Sequence, residues 1–239
     1  MNLVLLVPAA FLASIISGAI GMGGGVVLLA VMASVLDPAV VIPIHGVVQL
    51  VSNSSRTLIL IRQVRWRIFF LYLLPQMLGI ALAISIYKGS SMDWLKPAIG
   101  CFVLTYLLWD RFKPKRLQLP LFAFAPAGFA GGLLTIFVGA TGPFLAAFFL
   151  RDDMSQQEIV ATKAVIQTAG HLAKIPAFLA IGFAYGRHAG LVLPLLACAI
   201  VGTYLGTRLL TRMSHKAFNV GFRAALLLLG LRLVADVWI

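Results

Sequence analysis

Carboxylates are scarce in this chain. Seven Asp and Glu stand against 19 Lys and Arg among 239 residues. All seven (Asp37, Asp93, Asp110, Asp152, Asp153, Glu158 and Asp236) fall near the ends of apolar segments or between them. None sits in the middle of an apolar run, where a cation carrier or a carboxylate proton relay needs one. Cysteine is equally sparse. Cys101 and Cys198 lie in different apolar segments, with no CxxC spacing and no Cys/His cluster, so neither a disulfide nor a metal site is expected. Charged residues of every kind make up only 11% of the chain, against about a quarter in an ordinary soluble domain. The scattered serines and four isolated histidines build no nucleophile-and-base constellation, so no enzyme, catalytic residue or cofactor is expected.

Apolar length takes the place of what is missing. Hydrophobic residues reach 61%, with a mean hydropathy of +1.02. Long stretches almost free of charge cover residues 3–33, 68–87, 95–109, 119–150 and 189–207. A hydrocarbon core about 30 Å thick is crossed by about 20 residues of helix, and a soluble protein has nowhere to hide so many such segments. Met1 to Val4 carries no positive charge ahead of the first run, so residues 3–33 are expected to be mature structure. The net charge of +12 gathers in short segments between spans. That is an orientation signal, and nucleic acid is not an expected partner.

The chain repeats itself. At one constant offset, Pro8 and Ala9 align with Pro126 and Ala127, Gly21 with Gly139, Gly24 with Gly142, Gln49 with Gln167, Asn53 with His171 and Arg56 with Lys174. Asp37, followed by Pro38, aligns with Ser155, followed three residues later by Glu158; both read as helix N-caps. Each unit starts with a glycine-interrupted apolar segment (3–36; 119–150). A helix with several polar residues follows (38–61; 156–183), and two plainer spans complete the unit (68–87 and 95–110; 189–207 and 217–237). All four tryptophans, Trp66, Trp94, Trp109 and Trp238, fall at segment ends, where aromatic belts form.

Basic residues set the orientation. Arg62, Arg65 and Arg67 follow the first polar helix, whereas the next loop has little beyond Lys88. In the second unit only Arg187 follows the polar helix, and the next loop holds Arg208, Arg212 and Lys216. Under the positive-inside rule, equivalent loops then face opposite sides. The expected fold is an all-α integral membrane protein of two inverted repeats, each a broken or re-entrant helical hairpin plus three transmembrane helices. Residues 1–110 form the first repeat, 111–118 a cytoplasmic basic linker and 119–239 the second repeat.

Two features carry the expected chemistry. Residues 17–25 hold five glycines, and the matching stretch 135–143 ends in Gly142-Pro143. Each glycine inside a helix costs roughly 1 kcal/mol against alanine, so both stretches predict a break between half-helices. A half-helix starting near Gly24 or Gly142 would aim free N–H groups and a positive dipole end inward, which suits an anion. Close helix packing by small residues is the alternative reading. His45, Gln49, Asn53 and Arg56 recur every three or four residues, so they share one helix face; Lys163, Gln167, His171 and Lys174 repeat the pattern. These stripes offer donors and cations and no carboxylate. The predicted substrate-binding residues are Gly23, Gly24, Gly25, His45, Gln49, Asn53, Arg56, Thr141, Gly142, Gln167, His171 and Lys174. Structural hydrogen bonding and snorkelling to the interface are the other roles open to the polar ones. If protons are coupled to transport, His45 and His171 are the candidates.

The glycine-rich opening, the duplicated four-segment units and the chain length together resemble the TauE/SafE family, and the resemblance covers essentially the whole chain. It implies a secondary transporter in the bacterial inner membrane that exports sulfite or an organosulfonate such as sulfoacetate. It places the anion between the two glycine breaks and the facing polar helices. An anion channel and an importer of another small organic or inorganic anion remain as alternatives. The implied partners are a small anionic substrate and the lipid bilayer, with a homodimer as one arrangement of the chain.

Overall fold

The computed structural model describes residues 2–21, 23–87, 94–112, 119–209, 227–228 and 230–235. Residues 113–118 of the expected linker at 111–118, most of the last expected span and Trp238 lie outside the described residues. Among the described residues every regular element is helical. Among the described residues, the architecture is carried by α1 (Asn2–Ile20), α2 (Gly24–Val35), α3 (Pro38–Ile59), α4 (Trp66–Tyr87), α5 (Leu95–Phe112), α6 (Phe124–Phe137), α7 (Gly142–Phe148), α8 (Gln156–Ala180) and α9 (Ala189–Leu209).

Local chemistry sets the ends of these elements. The Asp37 carboxylate accepts from the Ala39 N–H at 2.8 Å, and α3 begins with proline in its first turn. At α8 the Ser155 hydroxyl accepts from the Glu158 N–H at 3.2 Å, while the Glu158 carboxylate accepts from the Ser155 N–H at 2.8 Å. That reciprocal pair is the capping box its spacing predicts. The long apolar segments 3–36 and 119–150 are each two helices rather than one. α1 stops at Ile20 and α2 starts at Gly24; α6 stops at Phe137 and α7 starts at Gly142.

The helices pair in a definite pattern. α4 packs along α6 and α1 along α9, while α3 lies against both α8 and α9, and α4 against α8. α2 folds back against α1 and touches α3. Small residues let two of these pairs approach closely. On α6, Gly128 and Gly132 meet the Tyr72 and Gln76 carbonyls of α4; on α9, Gly202 and Gly206 meet the Phe11 and Ile15 carbonyls of α1. The polar helices α3 and α8 thereby occupy the middle of the molecule.

The outer surface is apolar. On α4, Phe70, Leu74, Leu78, Leu82 and Ile86 recur every fourth residue, and all five are exposed. The opposite face of that helix buries Ile68, Tyr72, Gln76, Gly79, Ala83 and Tyr87. Trp66–Tyr87 and Tyr185–Leu209 are long and apolar enough to cross a bilayer. An exposed leucine–phenylalanine ridge of that length is the surface lipid requires and water opposes. One polar tie joins the α3–α4 loop to the α7–α8 region: Arg65 pairs with Glu158 at 2.7 Å, and its N–H donates to the Thr162 hydroxyl at 2.9 Å.

Candidate functional site

The two helix breaks need glycine for a backbone reason. Gly21 (φ 75°), Gly23 (φ 90°) and Gly139 (φ 88°) all occupy the left-handed region that L side chains resist. The Gly21 N–H closes α1 by donating to the Ser17 carbonyl at 2.9 Å, and the Gly139 N–H closes α6 on the Leu134 carbonyl at 3.1 Å. No side chain caps the N-terminus of α2. α7 is only seven residues long, so the dipole part of the argument rests on α2.

α3 and α8 deliver the polar stripes to the breaks. His45 donates through Nε2 to the Gly25 carbonyl at 2.9 Å, and Lys174 donates to the Gly139 carbonyl at 3.1 Å. Each polar helix thus holds the break of its own half of the chain. The Gln49 amide lies against Gly25, and the Gln167 amide approaches Gly142. Asn53 donates to the Gln49 carbonyl at 2.8 Å and accepts a long 3.4 Å bond from Arg56. The His45 and His171 rings meet edge to face with centroids 6.1 Å apart. Arg56 is 2% exposed and Lys174 is 0% exposed, yet neither belongs to the Arg65–Glu158 or the Arg151–Asp153 ion pair. Arg56 Nε and the Nδ1 atoms of both histidines are buried without a hydrogen-bond partner.

These groups surround one small cavity. It is lined by Ser17, Gly21, Gly23, Gly25 and Val26 from the first break, and by Ala140, Gly142 and Pro143 from the second. His45, Gln49, Asn53 and Arg56 of α3, and Gln167 and His171 of α8, complete the wall. Only about 20 Å³ of it is open to the centre of a water molecule, room for one or two waters. A narrow space walled by side-chain amides, imidazoles and a guanidinium, with no acid among the lining residues, suits a compact anion better than a cation.

Comparison with known proteins agrees with that chemistry. The family model described as sulfite exporter TauE/SafE matches residues 6–233, nearly the whole chain. The chain belongs to the TauE/SafE family. This TauE/SafE protein is therefore a multi-pass membrane protein of an anion-exporting transporter class, and not an enzyme. No curated protein and no solved structure matches it.

The TauE/SafE chain brings nine of the predicted binding residues to the cavity wall: Gly23, Gly25, His45, Gln49, Asn53, Arg56, Gly142, Gln167 and His171. Gly24 instead packs on Ala13 and Ser17 of α1. Thr141 is buried at the N-cap of α7. Lys174 stands behind the wall, bonded to Gly139. Lys163, the fourth member of the second stripe, lines a different pocket with Asp110 and Trp109. Ser17 and Val26 escaped the sequence expectation for the wall. Ser17 is a polar residue in an apolar helix directly before a break, which was the available signal.

Proposed function

We propose that this TauE/SafE protein exports a compact oxyanion, sulfite above all, by alternating access at a site between two inverted repeats (1–110 and 119–239, joined by a cytoplasmic linker at 111–118) near the middle of a bacterial inner membrane. The observation that carries the reading is the buried Arg56, which lines a cavity with Gln49, Gln167 and the uncapped start of α2 and has no carboxylate beside it. An unpaired buried cation is expensive to keep, and a bound anion supplies the countercharge.

The helix pairings support the repeat. α1 with α9 and α6 with α4 are exchanged by the sequence duplication, as are α3 with α9 and α8 with α4, while α3 with α8 maps onto itself. One chain thus brings together both halves of the site, and transport needs no second copy. The narrow interior favours a carrier over an open anion channel. It also favours sulfite over sulfoacetate, whose additional carboxylate needs donors of its own. An inside-negative potential drives an anion outward with about 2.3 kcal/mol per charge per 100 mV.

The test is counterflow of sulfite, sulfoacetate and taurine in liposomes holding the purified protein, beside Gln49→Ala and Gln167→Ala. Saturable sulfite exchange that weakens by roughly tenfold to a hundredfold in each variant is expected, the loss of one hydrogen bond to a charged group. Undiminished exchange in both variants would remove the amides from the site, and no exchange of any anion would remove the transport reading.

A further inference from the structure

Three buried basic groups lie on or just behind the wall of this cavity. His45 from α3 and His171 from α8 meet edge to face over it. The Nε2 of His45 is committed to the Gly25 carbonyl at 2.9 Å, so its Nδ1 carries the free lone pair, and that atom has no partner. His171 Nδ1 has none either. Lys174, one turn beyond His171, is wholly buried with its ammonium on the Gly139 carbonyl.

The charged surroundings are one-sided. Lys174 and His171 face His45, while Lys174 and His45 face His171. Arg56 lines the same cavity further along α3. The breaks contribute Ser17, glycines, Val26, Ala140 and Pro143, none of which titrates. α4 brings the hydroxyl-bearing rings of Tyr72, which reaches Gly131, and Tyr87, which meets Phe178 edge to face; α9 brings Thr203, bonded to Ser52. No carboxylate among the described residues faces the cluster. A proton placed on it meets Arg56 and no countercharge until an anion enters the cavity. Anion and proton therefore favour each other's binding, by the same factor in both directions.

We propose that the His45–His171–Lys174 cluster takes up a proton together with the anion, so that the protein is an anion–proton cotransporter. This deepens the anion reading of the same cavity and rests on it. The balance is simple, and doubly charged sulfite moving with one proton still carries one net negative charge outward for the membrane potential to drive. One proton leaves water on one side and forms an N–H bond within the cluster; on the other side that bond breaks and the proton returns to water with the anion. Because the groups interact, the proton belongs to the cluster as a unit rather than to one nitrogen.

Calorimetry on the purified full chain tests this. Sulfite and methanesulfonate (a strong-acid anion with no proton to bring) are titrated near pH 7 in buffers of different ionisation heat. The expected result is uptake of about one proton per anion, reduced by about half or more in the His45→Gln/His171→Gln double variant. Heats independent of buffer while an anion binds would overturn the proposal alone. So would proton uptake undiminished in the double variant, since the proton would then ride on the anion or sit elsewhere. Failure of both anions to bind the wild-type chain would overturn the functional reading, and the proposal with it.

Discussion

The amide of Gln49 rests directly on Gly25, so closely that a Cβ at position 25 would clash with its nitrogen. Helix α3 can present that amide to the cavity only because the first turn of α2 has no side chain there. Gly25→Ala should therefore displace Gln49 without unfolding the protein. Sulfite affinity is expected to fall about tenfold or more, while size-exclusion behaviour and helical circular dichroism stay as in the wild type.

Arg56 should show opposite effects on stability and function. Replacing a buried charge by an apolar side chain of similar length is often neutral or stabilising. Arg56→Met is expected to match or exceed the wild-type unfolding temperature in detergent and to abolish transport. Added sulfite should raise the wild-type melting temperature through binding to the folded state, and leave that of Arg56→Met unchanged.

Two left-handed glycines separate backbone strain from the site. Gly139 and Gly182 have φ of 88° and 92°. A Cβ at Gly182 meets open space, whereas one at Gly139 meets Leu29 at 3.3 Å. Both alanine variants should lose about 1–2 kcal/mol from the conformational penalty. Gly139→Ala alone should lose transport, because it moves the carbonyl that anchors Lys174. Unfolding in denaturant beside flux measurements separates the two effects.

How far the sequence alone reached varied with the kind of signal. The breaks were legible because glycines recur at matching positions, and the caps at Asp37 and Ser155 because local hydrogen bonds need only local residues. The central stripe was legible from its helical period. Lys163 shows the limit. It keeps the period of that stripe, but near the start of α8 it lies beside Asp110, and only tertiary packing decides this. The pairing of α1 with α9 and of α4 with α6 joins segments far apart in the chain through the carbonyls that Gly202, Gly206, Gly128 and Gly132 expose to approach. No local pattern announces it. The hydrogen bond from His45 to the Gly25 carbonyl was equally invisible, since it depends on how α2 folds back.

Outside the apolar spans, Arg151 donates through Nε and Nη2 to both carboxylate oxygens of Asp153 at 2.8 Å. That hydrogen-bonded guanidinium holds the Asp153 carboxyl below the ordinary carboxylate range. A depressed value means that the contribution is present above the unfolded-state value and disappears as pH falls through the folded one. The carboxylate is 58% exposed, so the effect is small. The difference in melting temperature between wild type and Asp153→Asn should be widest near neutrality and close on acidification, as a pH series of thermal melts will record.

The most direct test of the anion site uses selenite, the selenium counterpart of sulfite, whose anomalous scattering marks its position in a crystal. The account predicts one dominant selenium peak in the cavity, within hydrogen-bonding reach of Arg56, Gln49 and Gln167, and its loss in Arg56→Met. A peak confined to the loop arginines, or an empty cavity in a crystal of protein that transports selenite, would contradict it.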